Sequence, residues 1–94
     1  MSKYAVKHSK AFKKELKKLK NDSQALAELE FVIDKLANDE ILAPKYKDHQ
    51  LTGDLKAYRE CHIRPNLLLI YEKQEDILLL TCINLGSHSK LFKK

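Results

Sequence analysis

Three histidines in the second half of the chain, His49, His62 and His88, lie in stretches that also carry cationic or aromatic residues. Arg64 follows the second of these histidines, and Phe92 follows the third. An imidazole gains or loses a proton near neutral pH, so it can act as a general acid or a general base. Proton transfer beside fixed positive charge suits the cleavage of a phosphodiester. The sequence therefore predicts chemistry on a phosphate-containing substrate.

Positive charge is concentrated at the beginning of the chain. The 94 residues carry a net charge of +5, and the length predicts a single domain over residues 1–94. The first twenty residues contain eight lysines and one acid, whereas the next twenty contain one lysine and six acids. The N-terminal excess favours a polyanionic or acidic partner. The alternative is a solvated lysine-rich helix face, paired with its acidic neighbour in sequence.

Several classes of protein are disfavoured by what the sequence contains. Cys61 and Cys82 have no zinc-ligand spacing, so we expect buried free thiols in a reducing compartment. The two glycines form no nucleotide-binding loop, and Ser87 and Ser89 lie in no nucleophile-elbow motif. The longest apolar runs are too short to cross a membrane. We therefore expect a cytoplasmic protein that does not associate with a membrane.

The first forty residues predict a strand and two helices. Alternation over residues 3–7 indicates a strand, and Ser9 is a suitable N-cap for a helix that runs to about Lys20. Apolar residues at helical spacing predict a second helix from Asp22 or Ser23 to about Asn38. The short polar connection predicts a helical hairpin, which the opposite charges of the two segments would help to close.

Three strands are predicted in the rest of the chain. They cover residues 55–64, 67–73 and 77–83, and a short tail follows them. The last two are apolar on both faces, which is typical of central strands. The order β-α-α-β-β-β predicts an α+β fold in which a small, mostly antiparallel sheet carries the helical hairpin on one face.

Alternation along residues 55–64 divides polar from apolar side chains. Arg59 falls on the core-facing side, where we expect its guanidinium to pair with a carboxylate or with backbone carbonyls. The other side would form a basic surface, free of the helices and suited to RNA. The residues predicted to contact substrate from that surface are Lys56, Tyr58, His62 and Arg64.

Four spaced motifs together resemble the YafQ branch of the RelE superfamily, the toxins of bacterial type II toxin–antitoxin pairs. They are Tyr-Lys-Asp-His-Gln-Leu at 46–51, Tyr-Arg-Glu-Cys-His-Ile at 58–63, Leu-Ile-Tyr at 69–71 and Gly-Ser-His-Ser-Lys-Leu-Phe at 86–92. The resemblance runs from about Ala43 to Phe92, and the N-terminal part matches only in the order of its elements.

This resemblance implies a ribonuclease that enters the ribosomal A site and cuts translated mRNA without a metal or cofactor. It also implies a small antitoxin as partner, in a toxin–antitoxin hetero-oligomer. A 2′-hydroxyl would attack the adjacent phosphate, with His88 as proton donor and His49 and His62 as base or phosphate contacts. Phe92 matches an aromatic residue that shapes the substrate site, and Asn66 matches a substrate-site position.

Three positions depart from the family pattern and leave alternatives open. Asn66, Leu67 and Asn84 stand where family members commonly have Asp, Trp and Arg, respectively. The chain could therefore be a weakened or inactive toxin that still binds antitoxin and RNA. Two further alternatives are a basic RNA-binding module of other origin, and a metal site formed by the three histidines.

Overall fold

Five strands form one mixed sheet in the computed structural model, which describes residues 2–92. The strands lie in the order β1-β5-β4-β3-β2; β1 is parallel to β5, and the other neighbouring pairs are antiparallel. The predicted α+β fold with a mostly antiparallel sheet is confirmed. The elements are β1 (Ala5–His8), α1 (Lys10–Lys17), α2 (Ser23–Ala37), β2 (His49–Gln50), β3 (Arg59–Arg64), β4 (Leu67–Gln74), β5 (Leu79–Gly86) and α3 (His88–Leu91).

Side-chain caps fix the beginnings of the two long helices. Ser9 Oγ accepts a hydrogen bond from the Phe12 amide at 3.0 Å, as the sequence predicts. Asp22 Oδ1 accepts from the Ala25 amide at 3.0 Å, so Asp22 is the cap of α2. Within residues 2–92 no ion pair joins a lysine of α1 to an acid of α2. The opposite charges of the two helices therefore do not close the hairpin through direct ion pairs.

Both helices pack on the same face of the sheet and enclose the hydrophobic core. The two cysteines are free and buried within it, as predicted. Complete burial of a Leu or Phe side chain stabilises a fold by about 1.5–3 kcal/mol, so this layer holds the helices in place. Its members include Tyr4, Phe12, Leu29, Val32, Leu36, Cys61, Leu69, Tyr71, Leu80, Cys82 and Leu85.

The opposite face of the sheet is partly covered as well. Leu68 and Ile70 are 0% and 6% exposed, although pleating directs them away from their core neighbours in β4. Helix α3 packs on β5 at this face, and Leu91 Cδ2 would lie 3.7 Å from a Cβ atom added at Gly86. The short helix thus covers part of this face at the end of β5.

The sequence-based assignment of elements is wrong at several points, and β5 spans Leu79–Gly86 rather than 77–83. Residues 55–58 are not strand, because Gly53–Leu55 forms a 3₁₀ turn and β3 begins at Arg59. The connector contains β2, and the tail contains α3. Neither element is long enough to show a hydrophobic period. Within residues 2–92 no helix has the length and hydropathy to span a membrane.

Candidate active site

A cleft of about 310 Å³ lies on the face of the sheet opposite the two long helices. It brings together three of the predicted site residues, His49, His88 and Phe92, from segments about forty residues apart in sequence. A two-residue strand, the end of a 3₁₀ turn and a four-residue helix form its walls. The complete lining is His49, Leu51, Thr52, Leu55, Glu60, His88 and Phe92.

His49 is fixed by a backbone contact and faces a carboxylate. Its Nδ1 atom lies 2.6 Å from the carbonyl oxygen of Lys47. Because a carbonyl oxygen only accepts, Nδ1 carries the proton in this contact. In the neutral ring Nε2 is then the proton acceptor, and it lies 3.7 Å from Glu60 Oε1. This tautomer makes His49 suited to the role of base.

Glu60 is the site residue that sequence reasoning missed. It is 4% exposed, and its Oε1 atom lies 3.3 Å from His62 Nε2 as well as 3.7 Å from His49 Nε2. His49 is its partner across the β2–β3 ladder, and His62 is two residues further along β3. The polar alternation of β3 already places Glu60 beside His62. Recognising Glu60 as the link to His49 requires the register of β2, which the sequence does not reveal.

His88 occupies the first turn of α3, on the other side of the cleft. The Ser87 hydroxyl caps the helix by accepting from the Lys90 amide at 3.3 Å. The His88 ring packs against Phe92, with centroids 4.9 Å apart. Lys90 Nζ donates to Glu15 Oε1 at 2.6 Å, which ties α3 to α1 and lowers the pKa of that carboxyl. These contacts orient His88 toward the cleft that it lines.

The side chains of Tyr71, Asp48 and Arg59 form a polar cluster that anchors the segment carrying His49. Tyr71, 1% exposed, donates its hydroxyl hydrogen to Asp48 Oδ1 at 2.5 Å. Arg59 Nε donates to the same carboxylate oxygen at 3.3 Å and to the Tyr71 hydroxyl at 3.2 Å. Burial, followed by the hydrogen bond to Asp48, raises the pKa of Tyr71, so it stays protonated as a donor. The predicted pairing of Arg59 with a carboxylate is confirmed, although its side chain is 38% exposed.

The placement of Arg64 on the helix-free face is wrong. Its Nε donates to Glu28 at 2.6 Å and its Nη1 to Asp22 at 3.2 Å, so it is tied to α2 and its N-cap. The hydrogen bond to Glu28 raises the pKa of the guanidinium. The cause is a bulge, because pairing with β4 shifts register between His62 and Arg64 and interrupts the alternation of β3.

Lys56, Tyr58 and Asn66 also lie outside the set that lines the cleft. Lys56 lies in the turn before β3, so strand alternation does not assign it to the face of His62, whereas the Tyr58 carbonyl continues the β2–β3 ladder by accepting from the Leu51 amide at 3.0 Å. Asn66 is exposed in the two-residue turn between β3 and β4. Their predicted contacts with substrate stay predictions.

Two of the departures from the family pattern have clear positions. Asn84 pairs with Ile70, which pairs with Glu60, so these three residues and His49 form one row across the sheet. The Asn84 Oδ1 atom accepts from the Leu85 amide at 2.8 Å. Leu67 is partly buried and packs against the core.

The alternative of a three-histidine metal site lacks a set of ligands. Nowhere in the part of the chain from residue 2 to residue 92 are three or more His, Cys, Asp or Glu side chains placed to hold a metal ion. His49 Nε2 and His62 Nε2 lie 3.7 Å and 3.3 Å from the same oxygen atom, Glu60 Oε1.

The chain is similar over almost its entire length to known proteins. A family model described as "Bacterial toxin of type II toxin-antitoxin system, YafQ" matches residues 4–93. The mRNA interferase toxin YafQ of Escherichia coli K12 is 30% identical over 88 residues, covering 93% of this chain and 94% of that protein.

Solved structures agree with this match. A metal-bound toxin from Helicobacter pylori is 46% identical, with a TM-score of 0.86 over 95% of this chain and 99% of that chain. A chain of the Escherichia coli DinJ–YafQ complex is 30% identical, with a TM-score of 0.83 over 95% of this chain and 98% of that chain. The motifs, the fold and these matches agree, and the chain belongs to the YafQ family of bacterial toxins of type II toxin–antitoxin systems.

Proposed function

We propose that this protein is an endoribonuclease that cuts mRNA during translation and so arrests growth. One observation carries the proposal: the cleft gathers His49, Glu60, His88 and Phe92 in a chain whose family includes a named mRNA interferase. The cleft supplies a base, a second histidine and an aromatic ring, and it is open to a flexible strand. Cleavage of RNA by its own 2′-hydroxyl needs a base for that hydroxyl and an acid for the leaving 5′-oxygen, and the two histidines can take these roles.

The proposed reaction assigns one proton transfer to each wall of the cleft. His49 Nε2 removes the proton of the 2′-hydroxyl, whose oxygen bonds to the adjacent phosphorus. The bond from phosphorus to the 5′-oxygen breaks, and His88 donates a proton to that oxygen. A 2′,3′-cyclic phosphate and a free 5′-hydroxyl result, so atoms and charges balance.

Glu60 and Phe92 support this reaction without exchanging protons with the substrate. Once His49 is protonated, its Nε2 atom faces the carboxylate of Glu60, which has little contact with water at 4% exposure. A carboxylate in such surroundings interacts strongly with a nearby imidazolium. His62 Nε2 lies 3.3 Å from the same carboxylate oxygen, Glu60 Oε1. The Phe92 ring, packed on His88, offers a face on which a base can stack.

Mapping of mRNA ends after induced expression tests the proposal. We expect the wild-type chain to stop growth and to produce cuts within translated reading frames, and purified protein to require ribosomes. His88→Ala should abolish the cuts and keep the circular dichroism spectrum. His8→Ala is the matched control, because His8 packs on Phe12 at 4.8 Å and does not line the cleft. Intact translated mRNA in the presence of folded wild-type protein would refute the proposal.

We further propose that a small antitoxin neutralises the protein in a hetero-oligomer in the cytoplasm. The support is family membership, the solved complex of Escherichia coli YafQ with DinJ, and the net charge of +5, which an acidic segment complements. Co-expression with the adjacent short reading frame should restore growth and yield a complex that co-purifies. Failure of every neighbouring frame to bind the protein would contradict this part.

A second candidate function is that of a binding protein with weakened cleavage. The observation that favours it is Asn84, a neutral amide in the same row as Ile70, Glu60 and His49, where the family pattern has a cation. If this function is correct, Asn84→Arg combined with Asn66→Asp creates mRNA cutting that the wild type lacks. Cutting by the wild-type chain at a rate equal to that of the double variant would exclude it.

A further inference from the structure

A second cavity, of about 390 Å³, lies against His62 on the side away from the cleft. We call it the basic cavity. The 3₁₀ turn at Pro44–Tyr46, the end of β3 and helix α2 contribute to its walls. Its size falls within the range of about 300–1,000 Å³ typical of sites that hold a small ligand. The polar side chains that line it belong to Glu28, Lys45, Tyr46, Lys47, His62 and Arg64.

The basic cavity carries two positive charges that no carboxylate within residues 2–92 neutralises. Arg64 forms ion pairs with Glu28 and Asp22, at 2.6 Å and 3.2 Å. Lys45 and Lys47 are exposed, and neither forms an ion pair with a carboxylate anywhere between residues 2 and 92. Lys45 Nζ lies 5.2 Å from the centre of the Tyr46 ring, which holds the ammonium group at the cavity wall.

The basic cavity and the cleft share a wall made of the two histidines and the carboxylate between them. His62 lines the cavity, and its Nε2 atom is 3.3 Å from Glu60, which lines the cleft. On the other side, the carbonyl of Lys47 binds His49 Nδ1 at 2.6 Å. Lys47 has a left-handed backbone with φ +49°, which turns the chain from the cavity toward His49. A strand of RNA in the cleft can therefore continue over this wall into the basic cavity.

We propose that the basic cavity binds the backbone phosphate of a nucleotide next to the scissile phosphate, through Lys45 and Lys47. This inference rests on the proposed function, because it extends the RNA path from that cleft. Two ammonium groups on flexible stems suit a phosphate approached from several directions. Arg64, held by two carboxylates, forms the rigid floor and contributes no free charge.

Salt-dependent binding of RNA-like oligonucleotides tests the inference without cleavage. The probe is a single-stranded 2′-deoxy oligonucleotide, which lacks the attacking hydroxyl and remains intact, and fluorescence anisotropy measures its affinity at several salt concentrations. The test variant is Lys45→Gln/Lys47→Gln. The control is Lys13→Gln/Lys14→Gln, which removes the same charge from exposed positions of α1 that line neither the cleft nor the basic cavity.

We expect the magnitude of the slope of log K against log salt concentration to fall by about 0.7 in the test variant, since each phosphate of a single strand that the protein neutralises contributes about 0.7. The control should keep the wild-type slope. Equal slopes in both variants, or no measurable binding by the wild type, would overturn the inference. Weakened binding of polyglutamate, with unchanged oligonucleotide binding, would instead assign the cavity to an acidic peptide. The assay measures binding and not cleavage, so its result can be interpreted even if the protein proves not to cut mRNA.

Discussion

Replacing Tyr71 by Phe removes one buried oxygen atom from the cluster that anchors the segment before His49. That oxygen donates to Asp48 at 2.5 Å and accepts from Arg59 at 3.2 Å. A hydrogen bond to a charged group contributes about 1.5–3 kcal/mol to stability. Asp48 is 23% exposed and keeps its contact with Arg59, so the loss should lie near the lower end. We expect the free energy of unfolding to fall by about 1.5–2 kcal/mol.

Urea unfolding followed by circular dichroism measures this change, and the slope against denaturant should stay constant. In a domain of this size the melting temperature should fall by at least about 6 °C. Tyr58→Phe is the matched control, because the Tyr58 hydroxyl forms no hydrogen bond with residues 2–92 and its loss should cost less than about 0.5 kcal/mol. A loss below about 0.5 kcal/mol for Tyr71→Phe, or equal losses in the two variants, would refute the reasoning.

A double-mutant cycle tests whether the lost energy belongs to the contact with Asp48. Asp48→Asn keeps the shape of the side chain and removes its charge. If the hydroxyl acts through that carboxylate, the two changes together should cost at least about 0.5 kcal/mol less than the sum of the single changes. Additive losses would assign the effect of Tyr71→Phe to packing alone.

Two further predictions concern buried ionisable groups. Glu60→Gln keeps the volume of the side chain but removes the negative charge that faces His49 and His62. We therefore expect the rate of mRNA cutting to fall more than tenfold, while the melting temperature changes little. An unchanged cutting rate would exclude a role for the carboxylate. Burial raises the pKa of Cys82 to about 12, so the folded protein holds a proton that the unfolded chain releases above the ordinary thiol pKa. The free energy of unfolding should therefore decrease as pH rises from about 8.5, by up to about 1.4 kcal/mol per pH unit for this thiol, and Cys82→Ala should reduce that slope; identical pH profiles for the two proteins would contradict it.

Local sequence determined most of the elements of this fold. The helical spacing of Leu29, Ile33 and Leu36 specifies α2, and the polar residues Ser9 and Asp22 specify where helices begin. Runs of apolar residues specify β4 and β5, and burial of Cys82 follows from its position in β5. Burial of Cys61 follows from its position on the core-facing side of β3. These properties depend on neighbours within a few residues, which the sequence displays directly.

The wrong predictions of elements and of side-chain direction have a common cause, which is packing between distant parts of the chain. Residues 55–57 alternate like a strand but form a turn, and a single bulge reverses the direction expected for Arg64. Helix α3 has four residues, which is too few for a hydrophobic period to appear. In each case the local pattern fits two conformations, and packing against distant residues selects one of them.

The sequence by itself determined that three histidines accompany basic and aromatic residues, and its motifs indicated the family. Only the tertiary structure decided which of these groups meet. The register of β2 on β3 places Glu60 between His49 and His62, and the pairing of Lys90 with Glu15 holds α3 beside them. These contacts join residues far apart in the chain, and their geometry depends on the complete fold because no local propensity encodes a distance between segments.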